Sequence, residues 1–202
     1  MQAWAGSDDG MNGEASPSPG IAYAAMIGTL RHFLDAISCT DAHVATMQEL
    51  TESMSCWIGR LGPRQAENDE RVAMRYPLPS RGRTMCPPFM VERQSSTHVS
   101  GTVVFGGHFL GRNGAAHGGA VAMLFDEVFG QLANGPGQPR ARTAHLDVDY
   151  LRITPVDKRL QLEATIERQE GRKIALAGTL FDDHGLAARA SVLMVRLKEG
   201  QP

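Results

Sequence analysis

The sequence predicts an α+β protein in which an antiparallel sheet with one apolar face wraps a single long helix, preceded by a helical extension. Three observations carry this. Apolar residues between Ile21 and Leu61 recur at spacings of three and four. A second helical pattern runs from about His117 to Ala133. Four segments with strand character then follow one another to Leu197, separated by short turns.

Residues 1–20 are rich in Gly, Ser, Pro and acids and are expected to form a disordered tail. Met26, Ile27, Leu30, Phe33, Leu34 and Ile37 form one helical stripe. Thr40 or Asp41 is placed to cap a second helix, with its own stripe of Val44, Met47, Leu50, Met54, Trp57, Ile58 and Leu61. A hairpin over 21–61 would pack on its own core or a second subunit, or serve as a lid or docking surface. Residues 62–88, with Gly62-Pro63, Pro77, Pro79, Gly82 and Pro87-Pro88, are expected to be a linker. A second domain spans 89–198. Val99, Val103, Val104 and Phe105 mark a strand between Val91 and Phe105, and a glycine-rich loop follows from Gly106 to Gly114. The helix ends at Asn134-Gly-Pro-Gly. Ala144, Leu146, Val148 and Tyr150 alternate with polar residues, as do Leu160, Leu162, Ala164 and Ile166. Turns at Glu170-Gly171 and Asp182-Asp-His-Gly185 join the last two strands, about 173–181 and 187–197.

With 202 residues the chain is long enough for one sizeable core and an accessory element. A net charge of −2 argues against a nucleic-acid partner. No apolar run approaches the roughly 18 residues of a membrane span. The N-terminal residues lack the basic stretch and apolar core of a signal peptide. Cys39, Cys56 and Cys86 are odd in number and far apart, which fits a reducing, cytoplasmic setting.

The chemistry concentrates in Asn113-Gly-Ala-Ala-His117-Gly118-Gly119-Ala-Val-Ala-Met-Leu-Phe-Asp126-Glu127. Gly-Gly at the mouth of a helix leaves backbone N–H groups uncovered, and these favour developing negative charge. Asp126 shares a helix face with Ala122, Met123, Phe129 and Gly130, so a buried acid is expected. An oxyanion site and a buried acid together suggest acyl transfer. The same residues also fit an ordinary capped helix with one hydrogen-bonded core acid. No nucleophile elbow G-x-S-x-G, Walker loop or dinucleotide fingerprint occurs.

His117-Gly118-Gly119-Ala-Val-Ala-Met-Leu-Phe-Asp126 resembles the central-helix motif of hotdog-fold acyl-CoA thioesterases, nearest the phenylacetate-thioesterase-like branch. Thr143-Ala-His-Leu-Asp-Val-Asp-Tyr150-Leu-Arg152-Ile-Thr-Pro155 resembles the strand after that helix, and Glu170–Lys173 and Asp183–Gly185 its two hairpin turns. The resemblance covers about residues 89–198 and implies a hotdog fold. It also implies that Asp126 acts as nucleophile or general base, that Gly118, with Gly119, offers N–H to the thioester oxygen, and that Thr143 positions water or the acid. The polar residue the family often carries six positions before the His is Gly111 here; the nearest Asn is Asn113.

Partial burial would make Asp126 a better base. Gly118 and Asp126 are eight residues apart, about 12 Å along a helix axis, so both cannot reach one carbonyl. If both act, they come from different subunits, and at least a homodimer is required, as dimer or tetramer. His117 is expected to orient the loop or cap the helix, with a direct role as base as the alternative. Glu127 could substitute as the acid. Coenzyme A enters as part of the substrate, and no metal or redox cofactor is expected. Its phosphates need cations or N–H groups, for which Arg152, Lys158, Arg159, Arg172 and Lys173 are the candidate rim. Phe105, His108, Phe109, Leu110 and Phe129 could line an acyl pocket or simply pack the core. His145, Asp147 and Asp149 share a strand face; exposed polar positions explain them better than a metal site. The rival functions are a hotdog enoyl-CoA hydratase or dehydratase using His117, and a non-catalytic acyl-CoA-binding protein.

Overall fold

A computed structural model describes residues 18–62, 78–198 and 200–201. Most of the expected tail and of the expected linker lies outside the described residues. Six strands form one antiparallel sheet: β1 (Met90–Gln94), β2 (His98–Val104), β3 (Ala141–Tyr150), β4 (Arg159–Glu170), β5 (Lys173–Asp182) and β6 (Gly185–Arg196), in the order β1-β2-β4-β5-β6-β3. The 89–105 region holds two strands rather than one. Ser95 Oγ accepts from the N–H groups of Thr97 and His98 and closes a tight hairpin with neither Gly nor Asn in it.

Among the described residues the α-helices are α1 (Pro19–Ser38), α2 (Val44–Leu61) and α3 (Gly118–Ala133). Val121, Leu124, Phe125, Val128 and Leu132 line the sheet-facing side of α3 and meet Leu160, Leu162, Ile174, Leu176, Leu180 and Val192 from the alternating inner faces of the strands. Phe129 is fully buried there and stacks on Phe125, with ring centroids 5.8 Å apart. Glycine at 178 makes this possible: a Cβ there would stand 3.0 Å from the Glu163 carbonyl and 3.1 Å from the Phe129 ring. Antiparallel sheet and wrapped helix form the expected hotdog arrangement.

Asn134 joins helix to sheet. Its Nδ2 donates to the Gly130 carbonyl (2.8 Å) and its Oδ1 accepts from the Ala141 N–H (2.7 Å). The start of β3 is thereby fixed beside the last turns of α3, on the way to Thr143.

The N-terminal helices depart from a simple hairpin. The N-cap of α2 is His43, not Thr40 or Asp41, and no residue of α2 is buried. Its stripe of Val44, Met47, Met54, Trp57, Ile58 and Leu61 is exposed. By contrast α1 is docked on the hotdog domain. Ile27 is buried, Arg31 Nη2 donates to the Arg83 carbonyl (2.9 Å), and Asp35 accepts from the His108 N–H (3.0 Å) while pairing with its ring. Among the described residues no helix is long and apolar enough to cross a membrane.

Candidate active site

The loop before α3 is a tight turn. Gly111 N–H donates to the Ala115 carbonyl (2.7 Å), and Asn113 and Gly114 take positive φ of 57° and 73° at its tip. Asn113 therefore has a conformational reason to be Asn, since it tolerates the left-handed region better than most side chains. His117 N–H donates to the Phe109 carbonyl (2.7 Å), and its ring caps the helix: Nδ1 accepts from the Gly119 N–H at 3.0 Å. The expected capping role of His117 is what the geometry has. One consequence corrects the expectation for Gly119, whose N–H is occupied by the cap. The Gly118 N–H, at the first helical position, meets no acceptor among the described residues. Tyr150, which sequence reasoning treated only as a strand former, donates its hydroxyl to the Gly118 carbonyl at 2.8 Å. Its ring lies against the glycine, where an added Cβ would sit 3.4 Å from it.

Asp126 and Thr143 are brought together. The Thr143 hydroxyl donates to Asp126 Oδ1 at 2.6 Å. The pairing of β3 with β6 shifts register between Thr143 and His145, a bulge directly after Thr143 that re-aims the strand. Asp126 itself is exposed in the single chain, against the expected burial. The apolar stripe toward the sheet runs through Phe125 and Val128, and Asp126 stands about 100° round from Phe125.

The buried acid is its neighbour. Glu127 is 5% exposed and accepts from Arg81 Nε and Nη2, both at 2.6 Å, and from Gln131 Nε2 at 2.9 Å; Arg83 lies 3.6 Å away. Burial works to raise its pKa, but the hydrogen bonds and charges of these partners outweigh it and hold the carboxyl below its ordinary value. Glu127 is thus committed to an ion pair and does not stand in for Asp126. The pair anchors the short 3-10 turn Pro79–Gly82, whose Ser80, Arg81 and Gly82 all have positive φ. Ser80 Oγ donates to the Pro87 carbonyl (2.6 Å) and accepts from the Phe89 N–H (3.0 Å), which fixes this turn against the domain. Sequence reasoning missed Ser80 and Arg81 because the proline-rich segment carries no periodicity.

Asp126 and Glu127 line a cavity of about 630 Å³ with residues of α1 and of the 82–86 segment. Cys86 lies in its wall. Burial pushes its thiol up to about 11, so it stays protonated and is no nucleophile.

The five candidate cations do not form one rim. Arg152, Lys158 and Arg159 line a cavity of about 420 Å³ together with Asp182, Asp183 and His184. Tyr150 and Pro155 tie this end of the sheet to the N-terminus of α3. Arg172 and Lys173 stand at the other end of β4, about 36 Å away along the strand, because successive hairpin turns fall at opposite ends of the sheet. Arg152 bonds Asp182 (2.5 Å) and the Gly185 carbonyl (2.8 Å), and holds the Asp182 carboxyl below its ordinary pKa. Arg159 pairs with Glu92 at 2.8 Å, and Arg172 donates to the Arg196 carbonyl at 3.0 Å. Lys158 is exposed.

Phe129 does not line a pocket, since it is spent on the core, and Phe105 and Phe109 are buried beside each other, 6.1 Å between centroids. His108 pairs with Asp35, and Leu110 is exposed. His145 and Asp147 form an exposed pair at 2.7 Å, and Asp149 pairs with Arg189. Among the described residues no group of three His, Cys, Asp or Glu could hold a metal ion.

Residues 113–188 match the family model of the thioesterase superfamily. Acyl-coenzyme A thioesterase THEM4 of Rattus norvegicus and of Mus musculus are each 30% identical over 97 residues, 47% of this chain and 41% of theirs. The chain thus spans less than half the length of these curated relatives. Among solved structures, a thioesterase superfamily protein is similar with a TM-score of 0.73 and 28% identity, over 88% of this chain and 96% of that one. This match extends beyond the 89–198 domain into the N-terminal part. A Streptococcus mutans UA159 protein bound to acetyl CoA shares the fold at 20% identity and a TM-score of 0.51, over 56% of this chain and 91% of that one.

Proposed function

We propose, from the match of residues 113–188 to the thioesterase superfamily model, that this protein hydrolyses acyl-CoA to the free acid and CoA. The observation that carries the reading is the 2.6 Å hydrogen bond from Thr143 to Asp126, which holds a carboxylate at an accessible position on the central helix. Asp126 takes the proton from a water molecule as the water oxygen bonds to the thioester carbonyl carbon, or attacks that carbon itself to form a mixed anhydride that water then hydrolyses to the free acid. The carbonyl electrons move onto oxygen, and the Gly118 N–H stabilises that charge. Collapse expels the CoA thiolate, which takes up a proton. Water and a carboxylate suffice, and no electron carrier takes part.

The two groups stand about 12 Å apart along α3, so each site pairs Asp126 of one subunit with Gly118 of another. An edge strand favours such an assembly. β3 ends the sheet, runs for ten residues and leaves most of its length exposed, as a template for a second copy. Lys158, with Arg152 and Arg159, lies at the α3 N-terminal end of the sheet and is the reading's choice for the CoA phosphates. The capping bond on His117 Nδ1 weighs against His117 as the base of a hydratase.

Thiol release from short, long and aromatic acyl-CoAs, with Asp126→Ala in parallel, tests the reading. Turnover that the variant loses while remaining folded supports it. No turnover across the panel by folded, oligomeric protein overturns it.

A further inference from the structure

The matched family region begins at residue 113, yet one wall of the cavity beside Asp126 comes from α1. Tyr23, Ile27 and Leu30 face Met123 of the central helix across this space, and Cys86 closes it from the 82–86 segment. The cavity, about 630 Å³, falls within the range of small-molecule sites. The wall is fixed rather than loosely laid on. Arg31 ties α1 to the 79–83 segment, Asp35 ties it to His108, and Ile27 is buried. The Arg81–Glu127 pair in turn holds that segment to α3.

The lining is mainly apolar, with a charged edge at Asp126, Glu127 and Arg83 and hydroxyls from Thr84 and Tyr23. An apolar space opening on a carboxylate suits the uncharged part of a thioester, with the carbonyl at the acid and the acyl chain running away from it. The proposed phosphate cations, Lys158 with Arg152 and Arg159, line a different cavity. We infer that α1 and the 82–86 segment build the acyl subsite, and that the substrates are CoA thioesters with apolar acyl groups larger than acetyl. The inference rests on the hydrolytic reading for the place of the carbonyl.

Dissociation constants for S-alkyl-CoA thioethers, from methyl to dodecyl and with CoA as reference, test it without requiring turnover. The wild type tightens by about fourfold per methylene until the cavity is full. Leu30→Trp reaches its plateau at a shorter chain and Met123→Ala at a longer one, with affinity for CoA itself unchanged in both. A flat series in the wild type, or the same chain-length dependence in all three folded proteins, overturns the subsite. Loss of hydrolysis with the series intact would instead count against the hydrolytic reading alone.

Discussion

Removing Arg81 is expected to unsettle the domain through Glu127, the neighbour of Asp126 on α3. Glu127 is 5% exposed, and Arg81 supplies two of its hydrogen bonds, both at 2.6 Å. Breaking a buried ion pair by deleting one partner costs about 3–5 kcal/mol, because the other charge is left in a poor solvent. Arg81 is 37% exposed and Arg83 remains 3.6 Å away, so the lower end applies. Arg81→Ala should therefore lose about 3 kcal/mol at pH 7, or about 6–12 °C in Tm for a chain of this size. The pH dependence changes as well. In the wild type the Glu127 pKa is lowered, so its stabilising contribution is present above the unfolded value of about 4.3 and lost as pH falls through the folded value. Without Arg81, burial dominates and raises the folded pKa. Stability tied to that group is then lost as pH rises, and the deficit against wild type shrinks below about pH 5. Replacing both partners with apolar residues, Arg81→Met with Glu127→Leu, should recover most of the loss. Urea unfolding followed by circular dichroism at pH 7 and pH 4.5 measures all of this. A loss under about 1 kcal/mol at pH 7, or a double variant less stable than Arg81→Ala, refutes the reasoning.

Thr143→Val removes the hydroxyl from Asp126 at almost constant volume and should lower kcat roughly tenfold with KM little changed, with Thr143→Ser restoring most of the rate in steady-state assays. Gly178→Ala places a Cβ 3.0 Å from the Glu163 carbonyl and 3.1 Å from Phe129, and should cost about 1–3 kcal/mol in urea unfolding even though alanine suits the backbone.

The hotdog domain was legible because its signals are local. Alternation in β4 and the turns at Glu170-Gly171 and Asp182–Gly185 mark their elements without tertiary help. His117 as the cap of α3 and Thr143 beside Asp126 were likewise readable from the motif and its resemblance. Helical periodicity alone could not say which of two adjacent acids is buried. The answer depends on Arg81, 46 residues away in a segment with no period, and it went to Glu127. The cation rim failed for a related reason. Sequence places Arg159 and Arg172 near strand ends, but only the hairpin order puts those ends on opposite sides of the sheet. Phe129 was ambiguous until Gly178 was seen to open the sheet beneath it. The docking of α1 through Arg31 and Asp35 rests on partners far along the chain, beyond the reach of any local pattern.

The composite site is tested most directly by mixing two inactive subunits. Asp126→Asn removes the acid. Gly118→Pro removes the N–H at the first helical position, where proline is tolerated and the backbone of His117 is already extended. Each homo-oligomer should lose at least about 100-fold in thiol release. Co-refolded as random dimers, they should recover roughly a quarter of wild-type activity, because half the dimers carry one site with both groups intact. Recovery to that level is the predicted result; a mixture no more active than its parts, with subunit exchange demonstrated, would contradict it.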